Sequence, residues 1–301
     1  MSNAHTLQST PDGTLDIVQT VSELRATRPR AIAEALARRR RRPLLNENGT
    51  LFLIAADHPA RGVLKAGAEP MAMADRGELL RRLLVALSRP GVDGLLATPD
   101  VVEDLALLGA LEHKVVFGTM NRGGLAGSCF ELDDRFSAYT AEAIAGAGLD
   151  GGKMMVRIHD DDPGTLTTLV ACAEAISALA ARELPAMIEV FASSDDPNAL
   201  MRAIAIASGL GATSAYTWLK LPTLPSVEDM QRVLSATTLP TVLLGGDPGP
   251  DAALAQRWAG AMSAPHVRGV VVGRSLLYPP DGDVARTVDT AAAVLPRRVA
   301  A

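Results

Sequence analysis

Short apolar runs alternate with longer stretches of helical periodicity from about residue 46 onward. The apolar runs cover residues 51–56, 94–97, 114–118, 153–158, 186–191, 215–221, 241–244 and 269–272. Runs of this length, apolar at successive positions, read as strands buried on both faces. Helical segments fall between them at 76–87, 101–111, 138–147, 165–181, 199–208, 227–235 and 252–262, and another closes the chain at 284–295. Asp100 ahead of Val101 and Ser226 ahead of Val227 carry side-chain oxygens placed to cap orphan amides at helix starts. Eight strands alternating with eight helices predict a (β/α)8 TIM barrel. An open doubly wound sheet would want a Gly-x-Gly-x-x-Gly turn after an early strand. Asp57-His58-Pro59 follows the first run instead.

Ahead of the barrel the pattern is less regular. Residues 1–28 are polar and mixed, and read as a loosely ordered arm. Residues 29–42 have helical composition and stop before Pro43, which lacks the donor a helix interior needs. The arginines at 38–42 would then sit at a helix C-terminus, where they suit the dipole and remain solvated. The chain divides into an N-terminal arm and helix (1–45) and one catalytic barrel domain (46–301).

Composition narrows the function classes. The 301 residues are enough for one barrel domain of about 250 residues. Hydrophobic residues make up 48%, yet no run approaches the ~18 apolar residues of a membrane span. No basic-then-apolar signal pattern opens the chain, so the cytoplasm is the expected compartment. The net charge of −5, with no aromatic residues among the arginines at 38–42, argues against a nucleic-acid partner. Cys129 and Cys172 make neither a disulfide framework nor a metal cluster.

The candidate chemistry collects at the C-terminal ends of the strands, where barrel active sites lie. Tyr216, Trp218 and Lys220 share one parity, so a pleated strand aims them at one face, and Pro222 ends the strand just beyond Lys220. A desolvated lysine yields a neutral amine able to attack a carbonyl and form a Schiff base. Asp57 and His58 end the first strand, Arg122 follows the third, Lys153 and Arg157 share a parity on the fourth, and Glu189 lies within the fifth. Charges inside apolar strands are costly unless paired, so Lys153, Glu189, Asp57 and Lys220 are expected to form one buried network. The ends of strands seven and eight carry Gly245-Gly246-Asp247-Pro248-Gly249 and Gly273-Arg274-Ser275. Loops in those units are the usual phosphate site of this fold, using backbone N–H groups and a cation. Metal chemistry is the competing way to stabilise an enolate, with His58, His159 and an Asp of the run 160–162 as donors. That run leads into Pro163-Gly164 and reads as a solvated loop, so no metal and no cofactor are expected.

Five segments carry a family resemblance: Ala55-Ala-Asp-His-Pro-Ala-Arg-Gly62, Met120-Asn-Arg-Gly-Gly-Leu-Ala-Gly127, Asp150-Gly-Gly-Lys153, Tyr216-Thr-Trp-Leu-Lys-Leu-Pro222 and Val272-Gly-Arg-Ser-Leu-Leu-Tyr-Pro279. With them the chain resembles the class I aldolase superfamily of tagatose-bisphosphate, sulfofructose-phosphate and deoxyribose-phosphate aldolases. It is most similar to an actinobacterial aldolase-like branch met in inositol-catabolism settings. The resemblance implies that Lys220 is the Schiff-base lysine, Asp57 an acid, Lys153 the second lysine and Glu189 a proton shuttle. It implies a phosphate grip at the Gly245–Gly246 turn and Arg274, which Gly273 precedes; by their strand positions Arg122, Arg157, His58 and Trp218 are the expected substrate contacts. It further implies a phosphorylated keto-sugar substrate, with 2-deoxy-5-keto-gluconate 6-phosphate leading, and a homo-oligomer. Deoxyribose phosphate or another sugar phosphate is the second substrate class. A barrel that binds a sugar phosphate without turning it over is the non-enzymatic alternative. Two departures stand out. Many relatives have Asp-His-Gly where this chain has Asp57-His58-Pro59, and the strand-four tyrosine used as acid by some is replaced by Met155 and Arg157. The general acid then lies between Glu189 and Asp57.

Overall fold

The computed structural model describes residues 16–192, 196–246 and 251–296. Eight parallel strands close into a barrel in sequence order: β1 (Leu51–Ala56), β2 (Gly94–Ala97), β3 (Val115–Thr119), β4 (Gly151–Arg157), β5 (Ala186–Phe191), β6 (Thr217–Leu221), β7 (Thr241–Leu244) and β8 (Val267–Val272). The predicted (β/α)8 barrel is therefore the fold. Helices α1 (Ile17–Thr27) and α2 (Arg30–Arg38) precede it. The crossovers are α3 (Arg76–Ser88), α4 (Pro99–Leu107), α5 (Ala141–Gly146), α6 (Pro163–Ala180), α7 (Pro197–Ser208), α8 (Val227–Leu234) and α9 (Asp251–Ala261). After β8 come the short α10 (Arg274–Leu277) and then α11 (Val284–Ala293).

Period-2 alternation divides the strands between two cores, with β4 alone giving the inner one no apolar member. Leu51, Leu53 and Ala55 of β1 join Phe117, Met187, Trp218, Val242 and Val271 in a cluster inside the barrel. Phe52, Ile54 and Ala56 point the other way and pack beneath the helices. Side chains thus fill the barrel below the C-terminal ends of the strands, as in a packed core and not a pore.

Several boundaries differ from expectation. Residues 17–27 are a helix, not loose chain: Asp16 caps it by accepting from Gln19 N at 2.9 Å, and Val21 is buried. The first residue of α4 is Pro99 rather than Val101, because Thr98 is its N-cap and proline suits the first helical position. Asp100 instead accepts from Thr98 Oγ1 at 2.6 Å and pairs with Arg76. Ser226 does cap α8, accepting from Asp229 N at 3.1 Å. By length and composition α6 passes for a membrane span, with a mean hydropathy of 1.3 over its 18 residues, contrary to the sequence reading. Here it is a barrel crossover helix that buries Cys172, Ile176 and Leu179 in the layer beneath the helices.

The arginine block is the largest departure. The helix stops at Arg38; Arg39, Arg41 and Arg42 then reach carboxylates at the N-terminal ends of the strands, while Arg40 stays in solvent. Arg39 is buried, donates to Lys114 O at 2.6 Å and Gly148 O at 2.5 Å, and pairs with Asp150 at 3.0 Å. Arg41 bonds the other Asp150 oxygen at 2.8 Å, and Arg42 pairs with Asp93 at 2.6 Å. Those carboxylates accept backbone N–H groups at the strand starts, Asp93 from Phe52 at 2.7 Å and Asp150 from Val116 at 2.8 Å. Buried carboxylates need cations nearby, and that demand outweighs continuation of an exposed helix. Arg39→Ala should cost about 3–5 kcal/mol in urea unfolding, because it strips a partner from a buried carboxylate. Arg40→Ala, at an exposed pair with Glu112, should cost far less. Equal losses would contradict the clamp.

Candidate active site

The site is assembled by strand register. Glu189 on β5 lies opposite both Met155 on β4 and Lys220 on β6, while Lys153 lies opposite Thr119 and Met187 one layer lower. Asp57 directly follows β1 and Arg122 comes three residues after β3. All five ionisable groups are buried, from 0% exposure at Lys153 to 7% at Glu189 and Arg122.

One continuous network results. Lys220 Nζ donates to Glu189 Oε1 at 2.6 Å. Lys153 pairs with the other oxygen of Glu189 and donates to Asp57 Oδ2 at 3.1 Å. The same Asp57 oxygen accepts from Thr119 Oγ1 at 2.9 Å and pairs with Arg122. The expected buried grouping of Lys153, Glu189, Asp57 and Lys220 is therefore present, with Arg122 added to it.

Charge counting decides what this network does. Two carboxylates face three cations, so the enclosed site carries one positive charge too many when every group is ionised. The surplus is relieved most cheaply by a lysine giving up its proton. Burial pushes the Lys220 ammonium below its ordinary range, and the charge of Arg122 adds to this against the pull of Glu189. Burial, Arg122 and Lys220 push Lys153 well down. Burial alone would raise Glu189, but the two lysine charges overrule it and hold the carboxyl well below the usual range. Burial lowers Arg122 to about 10. His58 is pushed to about 3 by burial and then by Arg274, so at neutral pH it is an uncharged imidazole.

A cavity of about 190 Å³ opens above the network at the C-terminal ends of the strands. Lys220, Glu189, Asp57, His58, Arg61 and Arg122 line it, together with Gly245, Gly246, Gly273 and Arg274 from the last two units. Lys153 is absent from the lining, one layer below. Gly273 must be glycine: a Cβ there would strike the Ala55 carbonyl and come within 2.8 Å of the His58 ring. Gly246 takes a left-handed φ of 69°, and the Ser275 hydroxyl lies buried without a hydrogen-bond partner beside Gly245. The rest of the seventh loop, Asp247 to Gly249, lies outside the described residues. A larger hollow of about 470 Å³ at the opposite face is lined by Arg42, Asn46 and Asp93, which already bond one another.

This fold and this strand-end chemistry can be set beside known proteins. The Cgl0159-like family model matches residues 49–292. The chain belongs to that family. The crystal structure of Cgl0159 from Corynebacterium glutamicum is 47% identical, with a TM-score of 0.90 over 96% of this chain and 99% of that one. A Schiff-base-forming fructose-1,6-bisphosphate aldolase aligns with a TM-score of 0.64 at 16% identity, covering 88% of this chain and 100% of that one. An archaeal fructose-1,6-bisphosphate aldolase gives 0.65 and 15%, covering 88% and 98%. At such identities the likeness is one of fold, a closed eight-strand parallel barrel with alternating helices. No curated protein matches the chain.

Besides Lys153, two of the sequence candidates lie away from the cavity of this family member. Trp218 sits two residues below Lys220 and packs inside the barrel with Met187 and Val242. Arg157, the last residue of β4, turns to the loop after β3, donating to Asp134 Oδ2 at 2.7 Å and pairing with Glu131. Among the described residues no three His, Cys, Asp or Glu side chains converge as a metal site; Asp160 pairs with Arg202, and Asp162 caps α6. Thr119 and Arg61 were missed. Thr119 shares the parity of Phe117 on β3, so its inward position could have been read. Arg61 lies on a single 3-10 turn, Pro59–Arg61, that no periodicity marks.

Proposed function

We propose that this protein is a class I aldolase acting on a phosphorylated keto-sugar. The observation that carries the reading is Lys220: a buried amine of lowered pKa, at the floor of a cavity, hydrogen-bonded to a carboxylate. Its neutral amine attacks the substrate carbonyl, and loss of water from the carbinolamine leaves an iminium. A base takes the proton from the hydroxyl next to the scissile bond. The C–C electron pair then flows into the iminium, an aldehyde departs, and an enamine stays on Lys220. Protonation and hydrolysis of the enamine release the ketone and restore the lysine. Glu189, which touches both lysines, is the best-placed proton carrier, with Asp57 as the second. Burial and the charge of Arg122 favour the neutral form of Lys220, while Lys153 shares Glu189 with it from one layer below.

The substrate phosphate is assigned to Gly245, Gly246, Gly273 and Arg274. The leading substrate is 2-deoxy-5-keto-gluconate 6-phosphate, which would give dihydroxyacetone phosphate and malonate semialdehyde. Deoxyribose 5-phosphate or another sugar phosphate follows. The test is borohydride reduction in the presence of a panel of ketose phosphates, read by intact mass and peptide mapping. A substrate-dependent mass gain on the peptide holding Lys220, surviving excess chelator, is the expected result. Turnover without any labelled lysine would sink the Schiff-base reading, and binding without turnover would favour a non-catalytic barrel. Arg274→Ala should weaken a phosphorylated ligand roughly 10- to 100-fold, the cost of one charge-assisted contact. Its dephosphorylated analogue should lose far less, and equal losses would remove the phosphate from this loop.

A further inference from the structure

Beside Lys220, Arg122 and Arg274, the cavity holds a further cation that the proposed chemistry does not use. Pro59 starts a 3-10 turn directly after His58, Gly62 ends it with a left-handed φ of 74°, and Arg61 between them is buried and lines the cavity. Its guanidinium reaches across the mouth to the far side. Nε donates to Gly124 O at 2.9 Å in the loop after β3, and Nη1 meets Met155 Sδ on β4 at 3.4 Å. In an eight-strand barrel β3 and β4 lie opposite β7 and β8, so this tip faces the Gly246–Arg274 side with Lys220 between.

The acceptors offered to that tip are poor. A thioether is a weak acceptor, Nη2 has no hydrogen-bond partner, and the nearest carboxylate is Glu131 Oε1 at 3.8 Å, on a side chain 41% exposed. Its neighbours are better served: Arg122 pairs with Asp57, and Arg157 with Asp134 and Glu131. A buried guanidinium short of acceptors is costly unless a ligand supplies them, and its planar fork fits an oxyanion.

We infer that Arg61 recognises a second anionic group on the substrate, at the end remote from the phosphate. The substrate class is then a keto-sugar phosphate whose other terminus is a carboxylate or a second phosphate. This rests on the aldolase reading for the position of the carbonyl at Lys220, while the anion contact itself does not require turnover.

The test is calorimetric titration of the full chain with three ketose phosphates of equal length. They differ only at the terminus away from the phosphate: carboxylate, phosphate or hydroxymethyl. The wild type should bind one of the anion-ended ligands about 10- to 100-fold more tightly than the hydroxymethyl ligand, and the better of the two identifies the group. Arg61→Gln should collapse that ratio toward one. A wild-type ratio near one overturns the proposal without any variant. So does a variant that weakens all three ligands alike, since a residue that merely pins the loop would do that. Borohydride trapping run in parallel keeps the two readings apart. Preference without an adduct at Lys220 sinks the aldolase and leaves the anion site; an adduct without preference does the reverse.

Discussion

Lys220→Met should abolish both borohydride trapping and turnover, whereas Lys153→Met should slow turnover and still permit an adduct on Lys220. The two lysines share Glu189, and both lose charge preference to burial, so chemistry alone does not choose between them. Access does. Lys220 lines the cavity and lies level with Glu189, while Lys153 is fully enclosed one layer lower beside Thr119. A substrate carbonyl arriving from the strand ends meets Lys220 first. Removing the nucleophile deletes the covalent route altogether, so the loss should exceed the ~10²–10⁴-fold that a proton-transfer group supplies. Losing Lys153 acts indirectly. It leaves Asp57 and Glu189 with one lysine partner fewer, so the charge of Glu189 acts on Lys220 alone. The acid limb of the trapping rate should accordingly move to higher pH in Lys153→Met, because an amine that no longer shares its carboxylate partner holds its proton longer. An adduct that maps to Lys153 in the wild type would exchange the two roles.

What could be read from the sequence follows from what each signal encodes. Unbroken apolar runs marked the strands because a parallel barrel buries both faces, and β1, β2, β5 and β7 fall where those runs do. Lys153, Glu189 and Lys220 stood out because a charge in such a run needs a partner, and here the partners are each other. Parity, however, gives the face of a side chain and not its height in the barrel. Trp218 faces inward as Lys220 does, yet lies one layer too deep to meet the cavity. Height depends on inter-strand register, which no single run contains. The arginines at 39–42 failed for a related reason: their partners, Asp93, Glu112 and Asp150, are each 50 or more positions away in the chain. Arg61 was illegible because one 3-10 turn has no periodicity to betray which way it points.

Glu189→Gln should lower turnover by about 10²–10⁴-fold and shift the pH dependence of adduct formation in the direction opposite to Lys153→Met. The carboxylate does two things at once. It carries protons at the reacting centre, and its negative charge favours the ammonium form of Lys220, opposing the downward push of burial. The amide keeps the shape and a hydrogen-bond acceptor but neither carries a proton nor bears charge. Lys220 then loses its main stabilising partner, so its pKa falls further and the neutral amine is populated at lower pH. The acid limb of the trapping rate should move to lower pH even as turnover collapses. A residue that only held Lys220 in place would lower trapping and turnover together without moving that limb. Stopped-flow trapping across the pH range, compared with steady-state turnover of the same variant, separates the two. Unchanged turnover in Glu189→Gln would pass the proton-carrying role to Asp57, the other carboxylate in the network.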